Sequence, residues 1–150
     1  MLIGISPIIT MFIFLGIGSM YPMRFIDWLG VELCFFLTVL SSIVYGLPIG
    51  VLVGVLSITM GTLFSDLVGV TFIYDFIAFV MIAVFASFAD PSQITMIGTL
   101  LLLMYHLGYI LFQKAFEIFD FDSILYVITN MLFNIFIFWR IAPYVIRIFT

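Results

Sequence analysis

The chain has 150 residues, of which 66% are hydrophobic and 8% are charged, and its formal net charge is −4. A soluble domain of this length cannot bury so much apolar surface, so the composition predicts an integral membrane protein surrounded by the lipid bilayer. Four basic residues do not supply the basic face that nucleic-acid binding requires. The single cysteine, Cys34, excludes an internal disulfide and a thiolate metal site.

Six stretches of the chain are long and apolar enough for spanning helices, which need about 20 residues each. Neighbouring residues in these stretches are both apolar, which excludes the alternation of a β-barrel strand. We therefore expect one domain, residues 1–150, that is an all-α polytopic transmembrane bundle. The predicted helices cover residues 2–21, 25–44, 47–65, 70–89, 93–113 and 124–139.

The first stretch has no Lys or Arg before Arg24, so we expect a retained helix rather than a cleaved signal peptide. A polar hairpin, residues 114–123, separates the fifth and sixth helices, and residues 141–150 are expected to lie along the membrane surface. Six crossings place both termini on one side. We predict the cytoplasmic side of a cell or organelle inner membrane, although the Lys and Arg residues are divided equally between the two sides.

Small residues recur every three or four positions along the third helix, which places them on one stripe. Such a stripe permits close helix packing in lipid. It predicts packing within this chain or, alternatively, a surface for another membrane protein or an approaching substrate. We assign the same role to Gly16 and Gly18 of the first helix. The stripe consists of Gly46, Gly50, Gly54, Ser57 and Gly61.

The segment Gly46-Leu47-Pro48-Ile49-Gly50, running through Gly54 to the polar exit at Asp66, resembles two membrane families. These are the S-component of energy-coupling-factor vitamin transporters and the rod-shape protein MreD. The resemblance implies a six-helix bundle that either binds a vitamin-like solute or packs against other membrane proteins.

The sequence departs from the S-component pattern in two places. Gly16, Gly18 and Ser19 stand where S-components have an alanine-spaced docking motif. The expected link between the first two helices, Pro22 to Arg24, is also much shorter than the loop that closes an S-component pocket. MreD-like proteins need neither feature, and Asn130 resembles an asparagine of their last helix.

Polar side chains share one face of each of the last two predicted helices. They predict interhelical hydrogen bonds or, alternatively, a pocket for a small ligand or a proton-handling site around His106. The fifth helix contributes Tyr105, His106, Tyr109 and Gln113, and the sixth contributes Tyr126, Asn130 and Asn134.

Acidic residues mark the other helices. Glu32 is expected about two turns into the second helix, where it snorkels towards the interface, pairs with Arg24, or contacts an ion or a partner. Asp75 is expected at the membrane interface near the start of the fourth helix. Asp27 and Asp66 are also expected near the interface.

No catalytic motif occurs in the sequence, so we expect neither an enzyme nor a cofactor or metal site. The first functional hypothesis is a non-catalytic subunit that packs against other integral membrane subunits. The second is a small-solute binding subunit of a transporter, and the third is an intramembrane enzyme centred on His106.

Overall fold

A computed structural model of the chain describes residues 7–26, 28–65 and 68–149. The described part contains helices and no strand, which confirms the all-α helical fold class. Asp27, Asp66 and residues 2–6 of the predicted first helix lie outside the described residues. The main helices are α1 (Pro7–Met20), α2 (Cys34–Tyr45), α3 (Leu47–Phe64), α4 (Thr71–Ala86), α5 (Ile94–Ala115), α6 (Phe121–Phe136) and α7 (Ala142–Phe149).

Four helical stretches are long and apolar enough to cross a membrane: Pro7–Arg24, Leu47–Phe64, Pro91–Ala115 and Phe121–Phe149. Large apolar side chains point outward from them, as a lipid environment favours. Phe14 and Leu132, for example, are 69% and 66% exposed. The two remaining apolar helices, α2 and α4, have 12 and 16 residues.

The second helix begins nine residues later than predicted, at Cys34 instead of residue 25. The Glu32 carboxylate accepts a hydrogen bond from the Phe35 N–H group (3.2 Å), which satisfies one of the free donors at the helix start. Gly30 lies against α6, and its N–H group donates to the Thr129 hydroxyl (2.9 Å). The link between α1 and α2 is therefore the whole of residues 21–33, and Glu32 precedes α2 instead of lying inside it.

Helix α2 forms the centre of the bundle, because every residue from Cys34 to Ser42 is buried. Its buried hydroxyl groups are satisfied inside the helix, where Thr38 donates to the Cys34 carbonyl (2.7 Å) and Ser42 donates to the Thr38 carbonyl (2.6 Å). A helix buried on all sides needs no polar face, and α2 carries only apolar residues and hydroxyl residues from Cys34 to Ser42.

The small residues of α3 pack against helices of the same chain. A Cβ atom at Gly50 would lie 2.9 Å from the Ser42 Cα atom, and one at Gly54 would lie 2.8 Å from the Thr38 hydroxyl oxygen, both on α2. Farther along, Ser57 is buried against Gly16 of α1, and Gly61 packs on Met20 of α1. These residues therefore make contacts within the chain, and α1 and α2 occupy the face on which they lie.

Two glycines assigned to packing have other positions. Gly46 has φ of 82° and ψ of 176°, a conformation open essentially to glycine alone, and it forms the turn between α2 and α3. Gly18 is exposed on α1, and a Cβ atom there would have no neighbour within 4 Å.

The last predicted helix, residues 124–139, extends further in the structure. A π-helical turn, Ile137–Ile141, joins α6 to α7, so that Phe121–Phe149 forms one helical rod of 29 residues. Within this rod, Ala142 is fully buried, and the Phe149 ring lies 5.8 Å from the Phe12 ring. Burial of this apolar side keeps the segment on the bundle.

Candidate ligand pocket

A pocket of about 270 Å³ opens at the end of the bundle opposite Pro7 and Phe149. Helices α1, α3 and α5 end there, and α4 and α6 begin there. The link between α1 and α2 contributes one wall through Met23 and Glu32. The remaining lining residues are Met20, Ile58, Thr62, Thr71, Asp75, Phe79, Tyr105, Tyr109, Asp120, Asp122, Ser123 and Tyr126.

Asp75 lies in the pocket because it is one turn inside α4. It is partly buried, and its carboxylate accepts a hydrogen bond from the Tyr105 hydroxyl (2.8 Å). The neighbouring Tyr74 donates to the Tyr105 backbone carbonyl (2.5 Å). These two hydrogen bonds join α4 to α5, and Asp75 lines the pocket.

Glu32 is 3% exposed, and its hydrogen-bond partners are Phe35 and Asn130 rather than Arg24. The Asn130 amide nitrogen donates to Glu32 Oε1 (3.1 Å). The Asn130 amide oxygen then faces His106 Nε2 (3.0 Å). Since an amide oxygen only accepts, His106 must donate from Nε2. A chain of hydrogen bonds therefore connects His106 on α5 to Glu32 at the pocket wall.

Gly30 allows this arrangement by bringing the α1–α2 link directly onto α6. A Cβ atom at residue 30 would lie 2.5 Å from the Asn130 Cβ atom and 2.7 Å from the Tyr126 carbonyl oxygen. The hydroxyl of Thr129 also donates to the Trp28 carbonyl (3.1 Å). Close approach at Gly30 thus sets the position of Glu32 two residues later.

Aromatic rings form much of the pocket wall. The ring centroids of Phe79 and Tyr105 are 6.0 Å apart, and those of Tyr105 and Tyr109 are 6.2 Å apart. Tyr126 continues the wall on α6, with its centroid 5.4 Å from that of Tyr109. Faces of such rings attract cations.

The pocket is acidic from its mouth to its interior. Asp120 and Asp122 are exposed at the start of α6, and Glu32 and Asp75 lie deeper in the bundle. Among the described residues that line the pocket, none is Lys, Arg or His. Asp120 also caps α6, accepting from the Ser123 hydroxyl (2.6 Å) and the Ser123 N–H group (2.8 Å), and these bonds hold the pKa of Asp120 below its usual range.

The predicted ligand residues fall into two groups. Tyr105, Tyr109 and Tyr126 line the pocket. Gln113 and the residues of the hydrogen-bond chain, His106, Asn130 and Asn134, are buried but do not line it. Interhelical hydrogen bonding is confirmed for His106 and Asn130, and Asn134 donates to the Asn130 amide oxygen (3.1 Å).

Some buried polar atoms have no hydrogen-bond partner within the part of the chain that the structure describes. They are His106 Nδ1, Gln113 Oε1, Asn134 Oδ1, Ser57 Oγ and Thr59 Oγ1. The same part of the chain holds no group of three or more His, Cys, Asp or Glu side chains arranged for a metal ion.

Comparisons of the chain with protein-family models, with curated proteins and with solved structures find no significant match.

Proposed function

We propose that the chain is a membrane-embedded binding subunit for a small organic cation, held in the acidic aromatic pocket. The pocket volume of about 270 Å³ is slightly below the range of about 300–1,000 Å³ typical of drug-sized ligands, which favours a solute of a few heavy atoms.

One observation carries the proposed function. Glu32 and Asp75 both line a pocket that no described basic residue lines. A carboxylate removed from water without a cationic partner is unfavourable by several kcal/mol. A bound cation offsets that penalty for both side chains. Asp120 and Asp122 at the mouth increase the local concentration of cations and favour their entry.

The aromatic wall favours an organic cation over a hydrated metal ion. Each cation–π contact contributes about 0.5–2 kcal/mol when water is excluded, and alkylammonium groups are suitable ligands. The Tyr105 hydroxyl is already engaged with Asp75. In this proposal, Tyr105 holds Asp75, and the ring faces of Tyr109, Tyr126 and Phe79 contact the alkyl groups of the ligand.

In this proposal α2 and α4 complete six membrane crossings, and both termini lie in the cytoplasm. The pocket mouth, at the end opposite Pro7 and Phe149, then faces the other side of the membrane. A solute-binding subunit with this architecture has the function that the S-component resemblance implies. Residues 21–33 supply a longer wall between the first two helices than the sequence led us to expect.

Choline binding to the purified protein in an uncharged maltoside detergent tests the proposed function. Choline carries a permanent positive charge, and its uncharged carbon analogue dimethylbutanol is the matched control ligand. Calorimetry should detect binding of choline alone. Glu32→Gln and Asp75→Asn should each weaken binding at least about tenfold, which corresponds to about 1.4 kcal/mol.

Matched control variants are available outside the pocket. Glu117→Gln and Asp90→Asn remove the same charges at exposed positions that do not line it. They should bind choline with unchanged affinity. Equal binding of choline and dimethylbutanol, or equal losses in all four variants, would contradict the proposed function.

A second candidate function is the non-catalytic subunit that packs against other membrane proteins. It is favoured by Gly18, which is exposed on α1 with open space above it, next to exposed apolar residues such as Leu15. Purification from native membranes in mild detergent should then yield stoichiometric partners, and Gly18→Leu should release them. A protein that purifies alone would contradict this function.

A further inference from the structure

The two carboxyl groups in the pocket have a consequence for how a cation enters. Glu32 and Asp75 line one small cavity, and like charges that share a partly desolvated site disfavour ionisation of both. In the absence of a cation, the pocket is most stable with one of the two carboxyl groups protonated.

No lining group supplies a positive charge to the two carboxyls, and Asp120 and Asp122 at the mouth add negative charge to the same pocket. Asp75 faces the hydroxyls of Tyr74, Tyr105, Tyr109 and Tyr126, and Glu32 faces Cys34, Tyr126 and the Asn130 amide. Phenol, thiol and amide groups are neutral at physiological pH and carry no compensating charge. Met20 of α1, Met23 of the α1–α2 link, and Ile58 and Thr62 of α3 also line the pocket and are not titratable.

The hydrogen bonds of the two carboxyl groups differ in number and in kind. Glu32 accepts from two N–H donors, Phe35 N and Asn130 Nδ2, and neither nitrogen can accept a proton in return. Both bonds favour the charged form of Glu32. Among the described residues, the hydrogen-bond partner of Asp75 is the Tyr105 hydroxyl, which donates to a carboxylate and, unlike an N–H group, is also able to accept from a carboxylic acid.

We infer that Asp75 exchanges its proton for the cation, so that binding of one organic cation releases one proton. This inference rests on the proposed function and adds proton coupling to it. The O–H bond of the Asp75 carboxylic acid breaks, the proton passes to water at the pocket mouth, and the carboxylate pairs with the incoming cation. No other reactant is needed, and the net charge of the pocket is unchanged by the exchange.

Proton release during choline titration tests this coupling, because choline has no ammonium proton to contribute. The purified protein in weakly buffered maltoside solution is titrated in the presence of a pH indicator, from about pH 5 to 8. We expect close to one proton per bound choline at the acidic end. Linkage requires that choline affinity rises with pH in the same range, by up to about tenfold per pH unit.

Two variants assign the proton. Asp75→Asn should bind choline more weakly, with an affinity independent of pH and without proton release. Asp75→Glu keeps a carboxyl group at this position and should retain proton release. Glu117→Gln should behave as the unmodified chain.

Each result has a distinct consequence. Choline binding without proton release at any pH overturns the coupling and leaves the proposed function intact. Undiminished proton release in Asp75→Asn overturns the assignment to Asp75. Absence of choline binding to the unmodified chain overturns the proposed function and the coupling together.

Discussion

Gly30 and Asn130 are in direct contact although they are 100 positions apart in the chain, and a Cβ atom at Gly30 would lie 2.5 Å from the Asn130 Cβ atom. This contact holds the α1–α2 link on α6 and delivers Glu32 to the pocket. It depends on glycine for space, because the Tyr126 carbonyl oxygen and the Asn130 backbone nitrogen would lie within 2.8 Å of an added Cβ atom. Backbone atoms of a packed helix cannot rotate away.

Gly30→Ala should therefore displace the link and weaken choline binding at least about tenfold, with a loss of about 1–3 kcal/mol in the free energy of unfolding. Calorimetry and unfolding in mixed micelles measure the two effects. Gly69→Ala is the control, since the nearest atom to its Cβ would be the Thr71 hydroxyl at 4.0 Å. Wild-type binding by Gly30→Ala would contradict the role of this contact.

Asn130 is the link between His106 and Glu32, so its replacement removes a hydrogen bond from two buried atoms, His106 Nε2 and Glu32 Oε1. Asn130→Leu should cost about 1–3 kcal/mol for each unsatisfied group and should reduce choline affinity. Asn134→Leu is a matched control, because Asn134 donates only to Asn130 and its own amide oxygen has no partner among the described residues. Unfolding of the two variants in mixed micelles should differ, and equal stability would contradict the importance of the chain of hydrogen bonds.

The glycines of α3 and α1 differ in what an added methyl group would meet. Gly50→Ala should lose about 1–3 kcal/mol of stability, because its Cβ would press on the Ser42 backbone. Gly54→Ala should lose stability too, but Thr38→Ala should partly restore it, since the conflict there is with the Thr38 side chain. Gly18→Ala should be neutral or more stable by up to about 1 kcal/mol, as alanine favours helix over glycine.

Thermal unfolding in detergent ranks these variants. If Gly18→Ala lost as much stability as Gly50→Ala, the contact with Ser42 would not explain the loss in Gly50→Ala. No recovery in the Thr38→Ala, Gly54→Ala double variant would mean that the α2 backbone, rather than the Thr38 side chain, limits the approach of α3.

Periodicity predicted the contacts that depend on one helix face. The four-residue spacing of Gly50 and Gly54 correctly indicated close packing, and the shared faces of α5 and α6 correctly indicated that His106 and Asn130 interact. In both cases the residues that meet lie on regular helices, so spacing alone determines which side chains point the same way.

The start of α2 could not be predicted in the same way. Residues 25–44 are mostly apolar, and Leu33, which occupies the N-cap position of α2, is not among the preferred N-cap residues. The helix begins at Cys34 because Gly30 is held by α6, a contact between distant parts of the chain. The position of Glu32, and with it the acidic interior of the pocket, follows from that tertiary contact. The sequence around Glu32 contains no local pattern that predicts it.

Asp120 makes the first turn of α6 sensitive to acid. Its pKa lies below the usual value of about 3.9, because the Ser123 N–H and hydroxyl groups donate to the charged form. A lowered pKa in the folded state contributes stability above the unfolded-state pKa, and this contribution is lost as the pH falls through the folded-state pKa. The protection of amide hydrogens at the start of α6, relative to the intrinsic exchange rate at each pH, should therefore decrease below about pH 4.

Two substitutions separate capping from charge. Asp120→Asn retains a cap without a titrating group, so the protection of the first turn should no longer decrease in acid. Asp120→Ala should expose the first turn at every pH, at a cost of about 1 kcal/mol. If protection of the first turn still decreased in acid in Asp120→Asn, another titrating group would be responsible.

Cysteine labelling tests whether the ends of α5 lie on opposite sides of the membrane. Pro91–Ala115 has 25 residues, a length of about 37 Å at 1.5 Å per residue, which is enough to cross the hydrocarbon core of about 30 Å. Cys34 is fully buried, so in intact cells an impermeant maleimide should react only with an introduced cysteine. Exposed residues flank α5 at Phe88 and Ile118.

With the termini in the cytoplasm, Ile118→Cys should react from outside and Phe88→Cys only after permeabilisation. The reverse pattern would keep the crossing but invert the bundle, so that the pocket mouth and its acidic residues face the cytoplasm. Labelling of both cysteines from the same side would contradict the crossing of α5 itself. That result would also remove the physical reason for a pocket sheltered from water at the α5 end, because Tyr105 and Tyr109 would then lie on a helix that does not enter the membrane.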